Sequence, residues 1–221
     1  MKGGKSMKII LCGDSTAAAY DPKETPMVGW GQRLGAYVPG AEIRNHAMAG
    51  RSTRTFLAEG RLERAAAELA PGDLMLIQFG HNDENKEKPE RYTDPEKAFP
   101  ENLGIFVETA REKGALPVLM TPICIRCWQD GKLQPSHGVY PRVVRETAER
   151  LGVPVIDLYG ESLRLVEEAG EEGSRKLFMD FDPGEEAREP QGRADNAHTR
   201  LAGADAFARA AARRLRELGI I

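Results

Sequence analysis

Short β-branched or aliphatic runs recur along the chain at 7–12, 41–46, 73–79, 116–121 and 154–158. Each ends in a polar or glycine-containing turn, and runs of this length predict strands of a parallel sheet covered on both faces. Between them, apolar residues at helical spacing predict helices over 30–38, 56–69, 95–113, 140–151 and 161–169, with Gly114 and Gly152 as stop signals. A last helix over 201–218 places Ala204, Phe207, Ala208, Ala211 and Leu215 on one face and Arg209, Arg213 and Arg216 on others, the stripe of a helix packed on a core. Strands alternating with helices predict an α/β fold in which crossover helices flank a five-stranded parallel sheet.

Two polar stretches fall outside this alternation, 82–97, dense in charge, and 182–196, rich in Pro, Gly and acids. Loops of such length in a compact domain either lie solvated at the surface or serve a site. The 221 residues, 41% of them apolar, are enough for one domain with a full core, so residues 7–221 are read as a single domain and 1–6 as a polar leader, disordered or appended. The 31 basic and 34 acidic residues are interspersed, which leaves no block to track a phosphate backbone or an anionic membrane. No apolar stretch approaches the ~20 residues of a spanning helix, and the N-terminus lacks the apolar core of a secretory signal. Three cysteines, Cys12, Cys124 and Cys127, suit a reducing compartment, and the chain is read as cytoplasmic. Cys124 and Cys127 have C-x-x-C spacing, but no second pair completes a metal site, and none is assigned.

In a parallel sheet, chemistry collects just past the carboxyl ends of the strands. Three polar motifs follow such ends: Gly13-Asp14-Ser15-Thr16, Asn45 to Ser52 with Gly50 in it, and Gly80-His81-Asn82-Asp83. A fourth, Asp195-Asn196-Ala197-His198, precedes the last helix. A serine hydroxyl needs a base to take its proton, and the base needs a third group to orient it. Ser15, His198 and Asp195 fit those roles, the last two side by side at the mouth of the final helix. The backbone N–H groups of Ser15 and Gly50 and the side-chain amide of Asn82 are candidate donors to a tetrahedral oxyanion.

Each residue also has a plainer reading. Gly-Asp-Ser-Thr is a common turn or N-cap sequence, Gly50 a turn glycine, Asn82 and Asp195 caps, and His198 a surface histidine. What favours catalysis is their joint placement at successive strand ends. His46 and His81 lack an acid in the adjacent sequence and are read as packing or hydrogen-bonding supports. His137 either lines a pocket or enters a helix.

Taken together, these blocks resemble those of the SGNH, or GDSL-like, hydrolase superfamily: Ser15 in Gly-Asp-Ser, Gly50, Asn82 in Gly-His-Asn-Asp and His198 in Asp-x-x-His. Gly29-Trp30-Gly31, Ala49-Gly50-Arg51-Ser52-Thr53-Arg54-Thr55-Phe56, Gln78-Phe79-Gly80-His81, Ser136-His137-Gly138 with Tyr140, and Asp195-Asn196 with His198 look like its rhamnogalacturonan acetylesterase branch. The resemblance spans nearly the whole chain. It implies a flavodoxin-like three-layer α/β/α sandwich, no cofactor or metal, and a serine esterase that removes acetyl groups from pectic oligosaccharides through an acetyl-enzyme. A lipase-like or thioesterase-like relative, or a silent carbohydrate-binding one, is the alternative. On this reading Arg51, Arg54 and Arg126, with His137, are candidate contacts to uronate-bearing sugars, the partner is a small acetylated oligosaccharide, and the chain is a monomer or a homodimer. One departure touches the substrate side: Thr121-Pro122 is followed by Ile123-Cys124-Ile125-Arg126-Cys127, where members of the branch often carry two arginines.

Overall fold

A computed structural model describes residues 6–221. The leader assigned to 1–6 therefore lies, apart from Ser6, outside the described residues. Strand β1 (Lys8–Gly13) is followed by helix α1 (Trp30–Arg33), β2 (Glu42–Asn45), α2 (Thr53–Ala58), α3 (Arg61–Ala66), β3 (Leu74–Gln78), α4 (Ala98–Glu112) and β4 (Leu116–Met120). A two-residue hairpin pair, β5 (Trp128–Gln129) and β6 (Lys132–Leu133), then leads to α5 (Tyr140–Leu151), β7 (Val155–Ile156) and α6 (Leu158–Ser174). The chain closes with β8 (Phe178–Phe181), β9 (Arg193–Thr199) and α7 (Leu201–Glu217).

The central sheet has the order β2-β1-β3-β4-β7 and is parallel throughout, as the alternating pattern predicts. Because side chains alternate across a pleated strand, each strand feeds two cores. Ile9, Leu11, Leu74, Leu76, Val118 and Met120 enter the core beneath α1, α6 and α7. Their neighbours Ile10, Cys12, Met75, Ile77 and Leu119 enter the opposite core, beneath α2 to α5. Helices thus cover both faces of a flavodoxin-like order, and the crossover direction reverses between β1 and β3. Past the carboxyl ends of those two strands lies the crevice where such sheets place ligands.

Several elements differ from their sequence expectation. The helix expected over 56–69 begins three residues earlier, where Ser52 and Thr55 form a reciprocal capping box, and it breaks in two at Gly60, whose φ of 63° no helix accommodates. The helix over 30–38 is one α-turn followed by a 3₁₀ turn at Leu34–Ala36. Helix α6 runs beyond 169, with a kink at Gly170. Part of the expected 182–196 loop is strand: β9 pairs antiparallel with β8, with a bulge between Phe178 and Met179. Among the described residues no helix is long and apolar enough to cross a membrane.

Candidate active site

The chain leaves β1 through a turn built on Asp14. Its carboxylate accepts from the Thr16 N–H at 2.9 Å and the Thr16 hydroxyl at 2.8 Å, and its carbonyl accepts the N–H groups of Ala17 and Ala18. That turn holds Ser15 at the sheet edge, 8% exposed, with its carbonyl bonded by the Tyr20 hydroxyl at 2.7 Å. Ser15 Oγ lies 2.9 Å from His198 Nε2, across 183 positions of sequence. On the other side of the ring, His198 Nδ1 lies 2.9 Å from Asp195 Oδ2.

Asp195 and His198 sit within β9, not at the mouth of α7 as the sequence spacing suggests. An Asx turn brings them together: Asp195 Oδ1 accepts the N–H groups of Ala197 and His198, each at 3.0 Å. Arg193 adds a further donor, 2.7 Å from Asp195 Oδ2. Burial would raise the Asp195 carboxyl, but the bonds from the His198 ring and backbone, followed by that from Arg193, hold it well below the usual carboxylate range. An ionised Asp195 fixes the His198 proton on Nδ1 and leaves Nε2 free to accept from Ser15.

A cleft of about 360 Å³ opens over this row. Ser15, His198, Gly50, Asn82, His81 and Arg91 form its polar lining, and Tyr20, Met27, Ala49, Ile125 and Ala197 its apolar lining. Gly50 holds a φ of 77°, which admits a side chain only with strain. The Asn82 amide donates to the Arg51 carbonyl at 3.1 Å, and its oxygen accepts from Arg91 Nη1 at 3.4 Å. Gly50 and Asn82, far apart in sequence, thus reach the same cleft from beyond the ends of β2 and β3.

His81 and His137 are ring neighbours, 4.3 Å between centroids. Burial, then the neighbouring His137, pushes the His81 imidazole below its ordinary pKa, and its Nδ1 stands 3.6 Å from Asp14 Oδ2, too long for a hydrogen bond. His46, read as lacking an acid, meets Glu68 at 3.0 Å, a partner distant in sequence.

The proposed substrate contacts fare differently from the central row. His137 is not in the cleft lining: it is 4% exposed, with Nδ1 3.0 Å from Glu84 and Nε2 2.8 Å from the Ile123 carbonyl. Arg126 is likewise tied elsewhere, to Asp180, Ser174, Asn196 and the Glu171 carbonyl, where it braces β8 and β9 against α6. Arg51 pairs with Glu59 and the Ala49 carbonyl, and Arg54 with the Pro89 carbonyl. None of the three arginines lines the cleft. Arg91, absent from the sequence reading, does, along with Tyr20 and Met27.

A serine hydroxyl held against an imidazole past the carboxyl edge of a doubly wound sheet is an arrangement suited to acyl hydrolysis. The chain belongs to the GDSL-like Lipase/Acylhydrolase family, whose model matches residues 11–206. It is 42% identical over 218 residues to the rhamnogalacturonan acetylesterase RhgT of Bacillus subtilis (strain 168), covering 98% of this chain and 92% of that protein. It is 37% identical to the probable rhamnogalacturonan acetylesterase YesY of the same organism, covering 96% of this chain and 94% of that one. The crystal structure of protein YxiM from Bacillus subtilis superposes with a TM-score of 0.83 at 29% identity, covering 98% of this chain but 58% of that longer one.

Proposed function

We propose that this protein removes acetyl groups from acetylated carbohydrate, with pectic, rhamnogalacturonan-type oligosaccharides as its substrate. The observation that carries the chemistry is the continuous row Asp195–His198–Ser15, with both spacings at 2.9 Å, whose Ser15 and His198 line a cleft together with Gly50 and Asn82. The substrate is suggested by the rhamnogalacturonan acetylesterase RhgT and the probable rhamnogalacturonan acetylesterase YesY, to which the chain is similar over nearly its full length.

In this reading His198 Nε2 takes the Ser15 proton as Oγ bonds to the acetyl carbonyl carbon. The carbonyl oxygen becomes an oxyanion, met by the backbone N–H groups of Ser15 and Gly50 and by the Asn82 amide, which turns from the Arg51 carbonyl. When the intermediate collapses, the bond to the sugar oxygen breaks, and His198 returns its proton to that oxygen. A water then gives a proton to His198 and attacks the acetyl carbon, releasing acetate and restoring the Ser15 hydroxyl. Asp195 stays ionised throughout and steadies the imidazolium. Deacetylation after uptake, in the cytoplasm, goes with this reading, since all three cysteines are free thiols and Cys127 is exposed.

Acetate release from acetylated rhamnogalacturonan oligosaccharides, beside acetylated xylan and 4-nitrophenyl esters of two to eight carbons, is the test. Faster release from the pectic substrate than from xylan is expected. Preference for the longer acyl chains would replace the proposal with a lipase-like enzyme, and no turnover of any ester would leave a binding relative.

A further inference from the structure

The arginines that the sequence offers as contacts for an acidic sugar, Arg51, Arg54 and Arg126, bond to the protein away from the cleft, whereas Arg91 lines it. Among the described residues it is the one of fixed positive charge in the cleft lining, and no carboxylate of theirs lines the cleft. Its side chain is 31% exposed. Its guanidinium makes one long contact, to Asn82 at 3.4 Å, and stands 3.7 Å from Glu90, whose side chain is 64% exposed. A guanidinium carries five N–H donors in a planar fork that matches a carboxylate, and most of these remain unused.

The position is built, not incidental. A Cβ on Gly50 would lie 3.4 Å from both Arg91 terminal nitrogens and 3.5 Å from the carbon between them, so the guanidinium lies flat over the space that this glycine leaves free. The segment carrying Arg91 is pinned two residues later. There the Thr93 hydroxyl donates to Asp83 at 2.7 Å, the Thr93 N–H to the Asp83 carbonyl at 3.0 Å, and the Tyr140 hydroxyl to the Thr93 carbonyl at 2.6 Å. The charged 82–97 stretch thus delivers one cation beside two of the groups expected to meet the acetyl oxyanion.

The geometry points to Arg91 as the residue that selects anionic substrates, by receiving the carboxylate of a uronic acid in the acetylated oligosaccharide. This rests on the acetylesterase reading above, because a sugar whose acetyl carbonyl lies between Gly50 and Asn82 brings its other substituents beside the guanidinium that abuts both. Arg91 also touches Asn82, so replacing it is expected to slow all esters somewhat. Selectivity is what separates the two roles.

Two measurements on the wild type, Arg91→Gln and Arg91→Lys decide it. Calorimetric titration with an unacetylated rhamnogalacturonan oligosaccharide should give binding that is about tenfold or more weaker in Arg91→Gln, intermediate in Arg91→Lys, and lost when the ligand's carboxyls are reduced to alcohols. The ratio of kcat/KM on acetylated rhamnogalacturonan to that on acetylated xylan should fall by a similar factor in Arg91→Gln, mainly through KM. Equal losses on both substrates, carried by kcat, would make Arg91 only a support for Asn82 and overturn the proposal. So would wild-type binding that is absent or indifferent to carboxyl reduction. Because the titration needs no turnover, a wild type that binds the acidic sugar but cleaves no ester would fail the hydrolase reading and not this one.

Discussion

Replacing Asp195 with asparagine tests the orientation of the base by a change of nearly equal size and shape. Four donors converge on this carboxylate: the N–H groups of Ala197 and His198 at 3.0 Å on Oδ1, and His198 Nδ1 at 2.9 Å and Arg193 at 2.7 Å on Oδ2. An amide offers one oxygen to accept and an NH₂ that only donates. If its oxygen keeps the backbone pair, the NH₂ faces Arg193 and the imidazole, which relieves the conflict by moving its proton to Nε2. A ring protonated at Nε2 cannot accept from Ser15. If the oxygen turns the other way, the Asx turn that sets His198 loses both of its bonds. In the serine protease template the same change lowers kcat by about 10⁴, which corresponds to about 5 kcal/mol of barrier. We therefore expect kcat on 4-nitrophenyl acetate to fall by about 10³ to 10⁴ with KM changed by less than about threefold, and urea unfolding to show a loss of about 1 to 3 kcal/mol from the weakened charge-assisted bonds. A kcat within about fivefold of wild type would remove Asp195 from the mechanism. A rise in KM alone would make it a substrate contact.

Asn82→Ala removes one oxyanion donor and should lower kcat by about 10² to 10³, with little change in melting temperature because the only bonds lost are to the Arg51 carbonyl and Arg91; retention of full kcat would leave the oxyanion to the backbone donors. Gly50→Ala places a side chain at a φ of 77° against the Arg91 guanidinium and should cost about 1 to 2 kcal/mol in urea unfolding, together with a loss of acetyl ester turnover. Burial raises the Asp83 carboxyl to about 7, against the opposing bonds from Thr53 and Thr93. Since the folded state holds that proton more tightly than the unfolded chain does, this residue's contribution to stability is complete below the unfolded carboxyl's pKa and is lost as pH rises through about 7. Urea unfolding at pH 5 and pH 8 should therefore show wild type losing stability relative to Asp83→Asn by an amount on the order of 1 to 4 kcal/mol, and parallel pH profiles would refute it.

The sheet was legible because a strand buried on both faces must be written in aliphatic residues, and Ile9 to Cys12 and Leu74 to Ile77 serve two cores at once. That Ser15, His198 and Asn82 meet at one cleft was legible for a related reason: a strand-end serine, an Asp-x-x-His pair and an Asn after β3 are local patterns whose order along the chain follows the order of the crossovers. Helices were less so. The apolar spacing over 56–69 continues unchanged across Gly60, although the backbone turns there, and the Ser52–Thr55 capping box that starts the helix was the available signal. Arginines were read least well, because what decides an arginine's role is its partner. Arg126 meets Asp180 and Asn196, 54 and 70 residues away, while Arg91 sits amid charge that gives it no local mark and is held at the cleft by contacts such as that to Asn82 and the nearby tie from Thr93 to Asp83. Asp195 and His198 were paired correctly in kind but placed on the wrong element, since the Asx turn that joins them is also compatible with a strand.

The central claim is that Ser15 is a nucleophile made reactive by His198. A fluorophosphonate probe followed by peptide mass spectrometry tests it directly, with Ser15→Ala and His198→Ala as controls. We predict a single adduct at Ser15, formed in step with the loss of acetyl ester hydrolysis, absent in Ser15→Ala and slowed by orders of magnitude in His198→Ala. An active protein that carries the adduct on another residue, or that keeps its turnover while Ser15 is modified, would contradict it.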